Sequence, residues 1–211
     1  MNQMVGIRFW LAAGGAGFMA LAPPANRSTD TLLTRALVKL PGETINSLWQ
    51  KTVEAKCRNQ FALAEHVAPE HAQLALLRGA AFSKKAHKEA ICAKYYWQIL
   101  GQSAQGEDFV RDRAQAGLNH LLNYGYAVLL SSVLQKLFGV GLDPTFGISH
   151  LPRERSTPLA YDLMEPFRPC VDWRVVQWVR RLPEGAAREV SKEFRRWVTG
   201  FAIERVEPTG K

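Results

Sequence analysis

Three side chains able to bind a metal ion lie close together in the last third of the chain. They are His150, Asp162 and Glu165. If the two acids open a helix, their i,i+3 spacing places both on one face, and His150 can reach that face across the intervening loop. Imidazole with carboxylate oxygens suits Mn²⁺ or Mg²⁺ better than a structural zinc, which favours thiolates. Acids at a helix start also complement the helix dipole, so spacing alone leaves a purely structural role open.

Four blocks of the sequence resemble a known family. They read LWQKTVEAK followed by NQ (48–60), KEAICAKYYW (88–97), LLNYGYAVL (121–129), and GLDPTFGISH with DLMEPFRP (141–169). Together they resemble the CRISPR adaptation integrases, the metal-dependent endonucleases that insert spacers into a CRISPR array, in the version found in type II systems. The resemblance covers residues 45–200.

The resemblance implies roles for individual residues. Glu89, His150 and Glu165 match the three metal-binding catalytic residues of the family, and Asp162 matches a nearby acidic position. Asp162 is expected either to cap a helix or to orient the ligands from behind. The implied cofactor is Mg²⁺ or Mn²⁺, and the implied reaction is a transesterification in which a DNA 3′ hydroxyl attacks a phosphodiester. A related activity cuts branched DNA.

These residue types fit such a reaction. Phosphoryl transfer needs little covalent help from a protein, so positioning and charge neutralisation dominate. A divalent ion held by two carboxylates and an imidazole supplies both.

Basic residues near this passage are candidates for DNA contact. The formal charge of +8 and the pI near 9.6 favour an anionic partner such as nucleic acid. Arg153 and Arg155 lie in the loop after His150, and Arg168 follows Glu165. Arg168 can pair with a carboxylate of the site, contact a phosphate, or form an ion pair with Asp172.

Composition indicates a globular protein with reduced cysteines. Of the 211 residues, 47% are hydrophobic and 22% charged, which excludes a disordered chain. Cys57, Cys92 and Cys170 are odd in number and widely spaced, so we expect small buried side chains and not a disulfide framework or zinc knuckle. The apolar stretch at 9–22 is too short to span a membrane; it could pass for a secretory signal, whereas the resemblance implies the cytoplasm.

Hydrophobic periodicity predicts a mainly α-helical fold. Residues 1–44 lack a helical period and are assigned to a shortened β remnant and linker, 45–205 to a helical catalytic domain, and 206–211 to a tail. Helices are predicted from 45 through 64, 69 to 78, 83 to 100, 114 to 138, 159 to 180 with a break at Pro166, and 184 to 203. Ser83 is the predicted N-cap of the third, which should stop at Gly101, and Gly139 and Gly141 should end the fourth, the expected central buried helix.

The partner predictions follow from the resemblance. It implies DNA, a homodimer and a small ferredoxin-like adaptation subunit, with no membrane. Because the family places a β domain before the block that holds Trp49, and only 48 residues precede it here, the chain resembles an N-terminally shortened member in which dimerisation and subunit docking are in question. The alternatives are a catalytically impaired relic that serves as a DNA-binding or structural helical module, and a helix-turn-helix regulator.

Overall fold

The structure, a computed structural model, confirms the mainly helical fold class. It describes residues 31–85, 87–105, 109–150, 156–183 and 185–200. Residues 1–30 of the predicted β remnant and linker (1–44), and the tail at 206–211, lie outside these residues, and no strand occurs within the described ones.

Eight α-helices and one 3₁₀ turn make up the regular structure of the described residues. They are α1 (Thr31–Val38), α2 (Gly42–Val67), α3 (Leu74–Ala81), α4 (Lys88–Gln105), α5 (Leu118–Val140), α6 (Pro158–Met164), the 3₁₀ turn (Glu165–Phe167), α7 (Arg168–Val179) and α8 (Lys192–Gly200).

The break in the sixth predicted helix occurs where proline requires it. Pro166 has no N–H and interrupts the hydrogen-bond ladder, so α6 gives way to the 3₁₀ turn and the chain restarts as α7. This short turn carries Glu165. A second stop is set by Gly141, which adopts a left-handed conformation with φ 81° and caps α5. Both features match the sequence prediction, although Gly139 lies inside the helix.

Other boundaries differ from the prediction. Part of the expected linker is helical, since Thr31–Val38 forms α1. Ser83 does not cap α4, because His87 has a φ of 63°, which prevents a continuous helix from residue 83. Gly101 does not end α4 either. A Cβ there would lie 2.4 Å from Phe109 Cδ1, so glycine allows the following segment to pack closely on the helix.

The last helix also starts later than predicted. The Ser191 hydroxyl accepts a hydrogen bond from the backbone N–H of Phe194 at 3.1 Å, and α8 begins at Lys192. Phe194 and Val198 then bury the apolar face that the spacing predicts.

α7 lies between two groups of helices. On one side it packs against α2, which also contacts α3 and α4; on the other it packs against α5 and α8. Gly125 of α5 meets Val171 of α7 so closely that an added Cβ would lie 2.4 Å from Val171 Cγ1. The expected central position of α5 is therefore shared with α7. None of the described helices is long and apolar enough to cross a membrane.

Candidate active site

Two of the predicted ligands meet at a lysine of α2. Lys56 Nζ donates a hydrogen bond to Glu89 Oε1 of α4 at 2.6 Å and lies 2.7 Å from Glu165 Oε2 of the 3₁₀ turn. Glu89 and Glu165 are thereby brought together from distant parts of the sequence, around one positive charge.

The three charges differ in their burial. The Glu165 side chain is 7% exposed and that of Lys56 13%, whereas Glu89 is 38% exposed. Burial lowers the pKa of Lys56, but the charges of Glu165 and Glu89 and the contacts with them outweigh burial and hold that pKa above its ordinary value. Lys56 is therefore an ammonium ion under all ordinary conditions.

Glu165 is held by a second cation on its other oxygen. Arg168 Nη2 lies 3.1 Å from Glu165 Oε1, one helical turn later. Glu165 Oε2 is buried and, among the described residues, accepts no well-aligned hydrogen bond, so its ion-pair contact with Lys56 is its main stabilisation. The segment itself is fixed to α2 by Asn59, whose side-chain N–H donates to the Pro166 carbonyl at 2.7 Å.

Asp162 organises the turn that presents His150. Its fully buried carboxylate accepts the backbone N–H groups of Ile148, Ser149 and His150 at 2.5, 2.9 and 3.2 Å, and also lies 2.7 Å from His150 Nδ1. Each of the two carboxylate oxygens therefore has two of these contacts. This geometry supports the role of an orienting residue for Asp162, and it leaves Nε2 as the imidazole nitrogen suited to a metal. A Cβ at Gly147 would lie 2.4 Å from the His150 carbonyl, which explains the glycine in this turn.

His150 lies nearer the N-terminus of α2 than the two glutamates do. Its ring packs edge-on against Trp49 with centroids 6.1 Å apart, and against Tyr161 at 6.2 Å. Trp49 and Lys56 are seven residues apart and share one face of α2, so His150, Glu89 and Glu165 border the same face. In the part of the chain that the structure describes, however, no three His, Cys, Asp or Glu side chains are close enough together to hold one metal ion.

A buried tyrosine and aspartate network lies behind Arg168. Asp172 accepts hydrogen bonds from the hydroxyls of Tyr96 and Tyr126, both at 2.5 Å, and burial raises its pKa to about 6 although these bonds oppose the shift. The Arg168 guanidinium lies 4.8 Å from the Tyr126 ring centroid, in a cation–π contact. Of the three contacts predicted for Arg168, the structure shows the ion pair with a carboxylate of the site, that of Glu165. Asp172 instead accepts hydrogen bonds from the two tyrosines.

A further arginine packs on the same tyrosine. Arg111 donates to the side-chain oxygens of Asn119 and Asn123, each at 2.8 Å, and lies 5.6 Å from the Tyr126 ring centroid. Asn123 therefore supports Arg111, and the Tyr126 ring supports both Arg111 and Arg168.

Of the predicted DNA-contacting residues, Arg168 alone falls within the described residues. Arg153 and Arg155 lie in the segment 151–155, outside them. The free cysteines Cys57 and Cys92 are buried, as expected, and Cys170 is half-buried.

Sequence reasoning did not identify Lys56 as part of the site. Lys56 belongs to the block 48–60 that resembles the family, and it lies seven residues after Trp49 and three before Asn59. That spacing places it on the face that Trp49 and Asn59 share, but nothing local shows that this face meets Glu89, 33 residues later.

The donor set fits a hard divalent cation in part. Two carboxylates already converge on a cation, and one of their oxygens, Glu165 Oε2, is buried without a well-directed hydrogen bond among the described residues. Mg²⁺ is commonly bound by one or two carboxylates, with water and substrate phosphate completing its shell. Glu89 and Glu165 meet that requirement, and His150 borders the same face of α2 at Trp49.

Comparison with known proteins identifies a family whose sequence pattern the chain matches. The family model described as CRISPR associated protein Cas1 matches residues 7–185. The CRISPR-associated endonuclease Cas1 of Neisseria meningitidis serogroup C is 34% identical over 132 residues, which is 61% of this chain and 42% of that protein. Across three such relatives the chain spans only 30% to 42% of their length.

Solved structures share the fold. A casposase bound to its integration product aligns with a TM-score of 0.68 at 23% identity, over 88% of this chain and 64% of that one. A Cas1 protein from Thermotoga maritima aligns with a TM-score of 0.65 at 20% identity, over 86% of this chain and 67% of that one.

Proposed function

The chain belongs to the Cas1 family of CRISPR-associated proteins, and on that premise we propose that it is a metal-dependent DNA endonuclease and integrase of CRISPR adaptation. The observation that carries the proposal is the convergence of Glu89 and Glu165 on one cation, beside the turn that Asp162 holds for His150. The relatives are named as endonucleases, which supports the same activity for this chain.

In the proposed reaction a DNA 3′ hydroxyl attacks a phosphodiester. A new P–O ester bond forms, the P–O bond to the leaving strand breaks, and the proton of the attacking hydroxyl ends on the leaving oxygen. When bound, Mg²⁺ or Mn²⁺ supplies charge neutralisation at the phosphate and a fixed position for it. In hydrolysis, water takes the place of the 3′ hydroxyl and the strand is cut.

The protein residues provide the framework. Glu89 and Glu165 are the proposed carboxylate ligands, and His150 is the nitrogen ligand, with its ring orientation set by Asp162 at Nδ1. Arg168 neutralises the second oxygen of Glu165 and fixes the side chain against the Tyr126 ring. Because Arg168 holds Oε1 of Glu165, its other oxygen, Oε2, is directed toward the position that Lys56 Nζ occupies.

The partners are part of the proposal. A solved Cas6-RT-Cas1–Cas2 complex and the casposase with its integration product share this fold. We accordingly propose DNA as substrate, a second copy of the chain and a small ferredoxin-like adaptation subunit as protein partners, and the cytoplasm as the site of action. Arg153, Arg155 and Arg168 remain the proposed DNA contacts.

Cleavage of branched DNA tests the proposed activity. The purified chain is incubated with an end-labelled branched duplex in Mn²⁺ and in EDTA, alongside Glu165→Gln and the exposed-site control Glu70→Gln. We expect cutting in Mn²⁺ that EDTA abolishes, that Glu165→Gln lowers by about 100-fold, and that Glu70→Gln leaves unchanged. Cutting that persists in EDTA, or that Glu165→Gln leaves at the wild-type rate, would refute the proposal. DNA binding without cutting in any of these conditions would support the alternative of a catalytically impaired binding module.

A further inference from the structure

The place between Glu89 and Glu165 is already taken by a positive charge that belongs to the chain. Lys56 Nζ is 2.6 Å from one carboxylate and 2.7 Å from the other. An ammonium at such distances offsets the repulsion between two neighbouring carboxylates, one buried at Glu165 and one 38% exposed at Glu89. Lys56 thus does electrostatically what a divalent ion would do at the same carboxylates.

This arrangement is fixed by the fold. The Lys56 side chain leaves the middle of α2 and is mostly buried. Asn59, one turn later, ties α2 to the Pro166 carbonyl and so keeps Glu165 opposite Lys56. Lys88, the residue before Glu89, lies 3.5 Å from Glu54 of α2 and holds the start of α4 against the same helix. Three residues of α2, Glu54, Lys56 and Asn59, make all of these contacts within two helical turns.

A lysine ammonium and a divalent cation cannot share these two oxygens. Both would lie between Glu89 Oε1 and Glu165 Oε2, and their like charges repel at contact distance. Resting on the proposed metal function, we propose that Lys56 is a built-in counter-cation, which occupies the carboxylate pair in the absence of metal and must leave it when the ion binds. The two occupants are alternatives, so Lys56 lowers the metal affinity of the site while keeping its two acids paired in the metal-free protein.

Metal titration of a lysine variant tests the competition. Mn²⁺ is titrated by calorimetry into the wild type, Lys56→Met, Lys56→Gln and Lys51→Met at about pH 8, where carboxylates stay ionised. Lys51 lies on the same helix with an exposed side chain and serves as the matched control. We expect Lys56→Met and Lys56→Gln to bind Mn²⁺ about tenfold more tightly than the wild type, and Lys51→Met to bind as the wild type does. Circular dichroism establishes that each variant is folded.

The outcomes separate this inference from the proposed function. If the wild type binds Mn²⁺ and both Lys56 variants bind it equally or less tightly, Lys56 is not a competitor and the inference is overturned while the metal site stands. If neither the wild type nor the variants bind Mn²⁺, the proposed metal function fails and the inference fails with it. Binding seen only after Lys56 is replaced would support the competition in its strongest form.

A second measurement needs no variant at position 56. The wild-type chain is treated with a small acylating reagent with and without Mn²⁺, and modification of individual lysines is followed by mass spectrometry. We expect Lys56 to be protected in the metal-free protein and to react several-fold faster with Mn²⁺ present, while Lys51 reacts equally in both. Equal reactivity of Lys56 in the two conditions would contradict displacement.

Discussion

At the scale of single residues, Asp162 holds the turn that presents His150 through four polar contacts. Its buried carboxylate satisfies three backbone N–H groups and the His150 ring, so its removal leaves several polar groups without a partner. We expect Asp162→Ala to lower the free energy of unfolding by about 2–4 kcal/mol.

Urea denaturation measures this loss, and Asp143→Ala is the matched control. Asp143 also accepts hydrogen bonds within a turn, from the backbone N–H and hydroxyl of Thr145, but that turn is exposed. Its loss should cost only about 0.5–1 kcal/mol. Equal losses in the two variants would show that Asp162 does not organise the turn as described.

The buried Asp172 makes stability depend on pH. Its pKa is raised from the ordinary 3.8 to about 6, so between these values the folded protein holds a proton that the unfolded chain has lost. Its stabilising contribution is complete below pH 3.8 and is lost as the pH rises through 6. Because one pKa unit corresponds to 1.36 kcal/mol, the change amounts to about 3 kcal/mol.

Comparison with Asp172→Asn isolates this effect from all other carboxylates. The difference in unfolding free energy between wild type and variant should shift by about 2 kcal/mol against the wild type from pH 4 to pH 6.5, the larger part of the total change. Denaturation curves at several pH values supply the measurement. A difference that stays constant over this interval would mean that Asp172 titrates normally.

Residue types and family resemblance predicted more of the site than local spacing did. Asp162 was expected either as a cap or as an orienting residue, and the structure supports the second. The partner of the two glutamates was missed, because an ion pair between Lys56 and Glu89 depends on how two helices pack, which no local pattern encodes. The aspartate bound by Tyr96 and Tyr126 was missed for the same reason.

At the scale of elements, periodicity found the long helices and misplaced several of their ends. α2, α5 and the restart at Pro166 follow from apolar spacing and proline chemistry. In the sequence, Gly101 predicts the end of a helix. In the structure it lies inside α4, where the absence of a side chain lets Phe109 pack against it. Tertiary contacts of this kind decide whether a glycine ends a helix or allows a close approach.

The crossing of α5 and α7 provides an element-scale prediction. Gly125→Ala would place a Cβ 2.4 Å from Val171 Cγ1, in the buried contact between the two helices. We expect the free energy of unfolding to fall by about 1–3 kcal/mol, since a packed interface must shift to admit the methyl group.

Gly79→Ala is the control for the intrinsic helix preference of alanine. Gly79 lies in α3 with nothing within 4 Å of an added Cβ, so this change should raise stability by roughly 0.5–1 kcal/mol. Thermal unfolding of both variants gives the comparison. Stabilisation by both substitutions would show that α5 and α7 are not in tight contact at this point.

At the scale of the whole molecule, the proposed site joins elements that are far apart in the sequence. Glu89 belongs to α4, Glu165 to the 3₁₀ turn before α7, and His150 to the turn after α5, and all three border α2. The chain carries a formal charge of +8, and Lys56 and Arg168 lie against this acidic pair, which suits the proposed DNA substrate. An ion bound here would link the helix groups on the two sides of α7.

The proposed metal site has Glu89, His150 and Glu165 as the ligands of one divalent ion. Electron paramagnetic resonance of free Mn²⁺, titrated with the protein, tests it directly in the wild type and in Glu89→Gln, His150→Ala and Glu165→Gln. We expect one bound ion per chain in the wild type and affinity weakened by about tenfold or more in each of the three variants. Mn²⁺ binding of equal strength in the wild type and all three variants would contradict it.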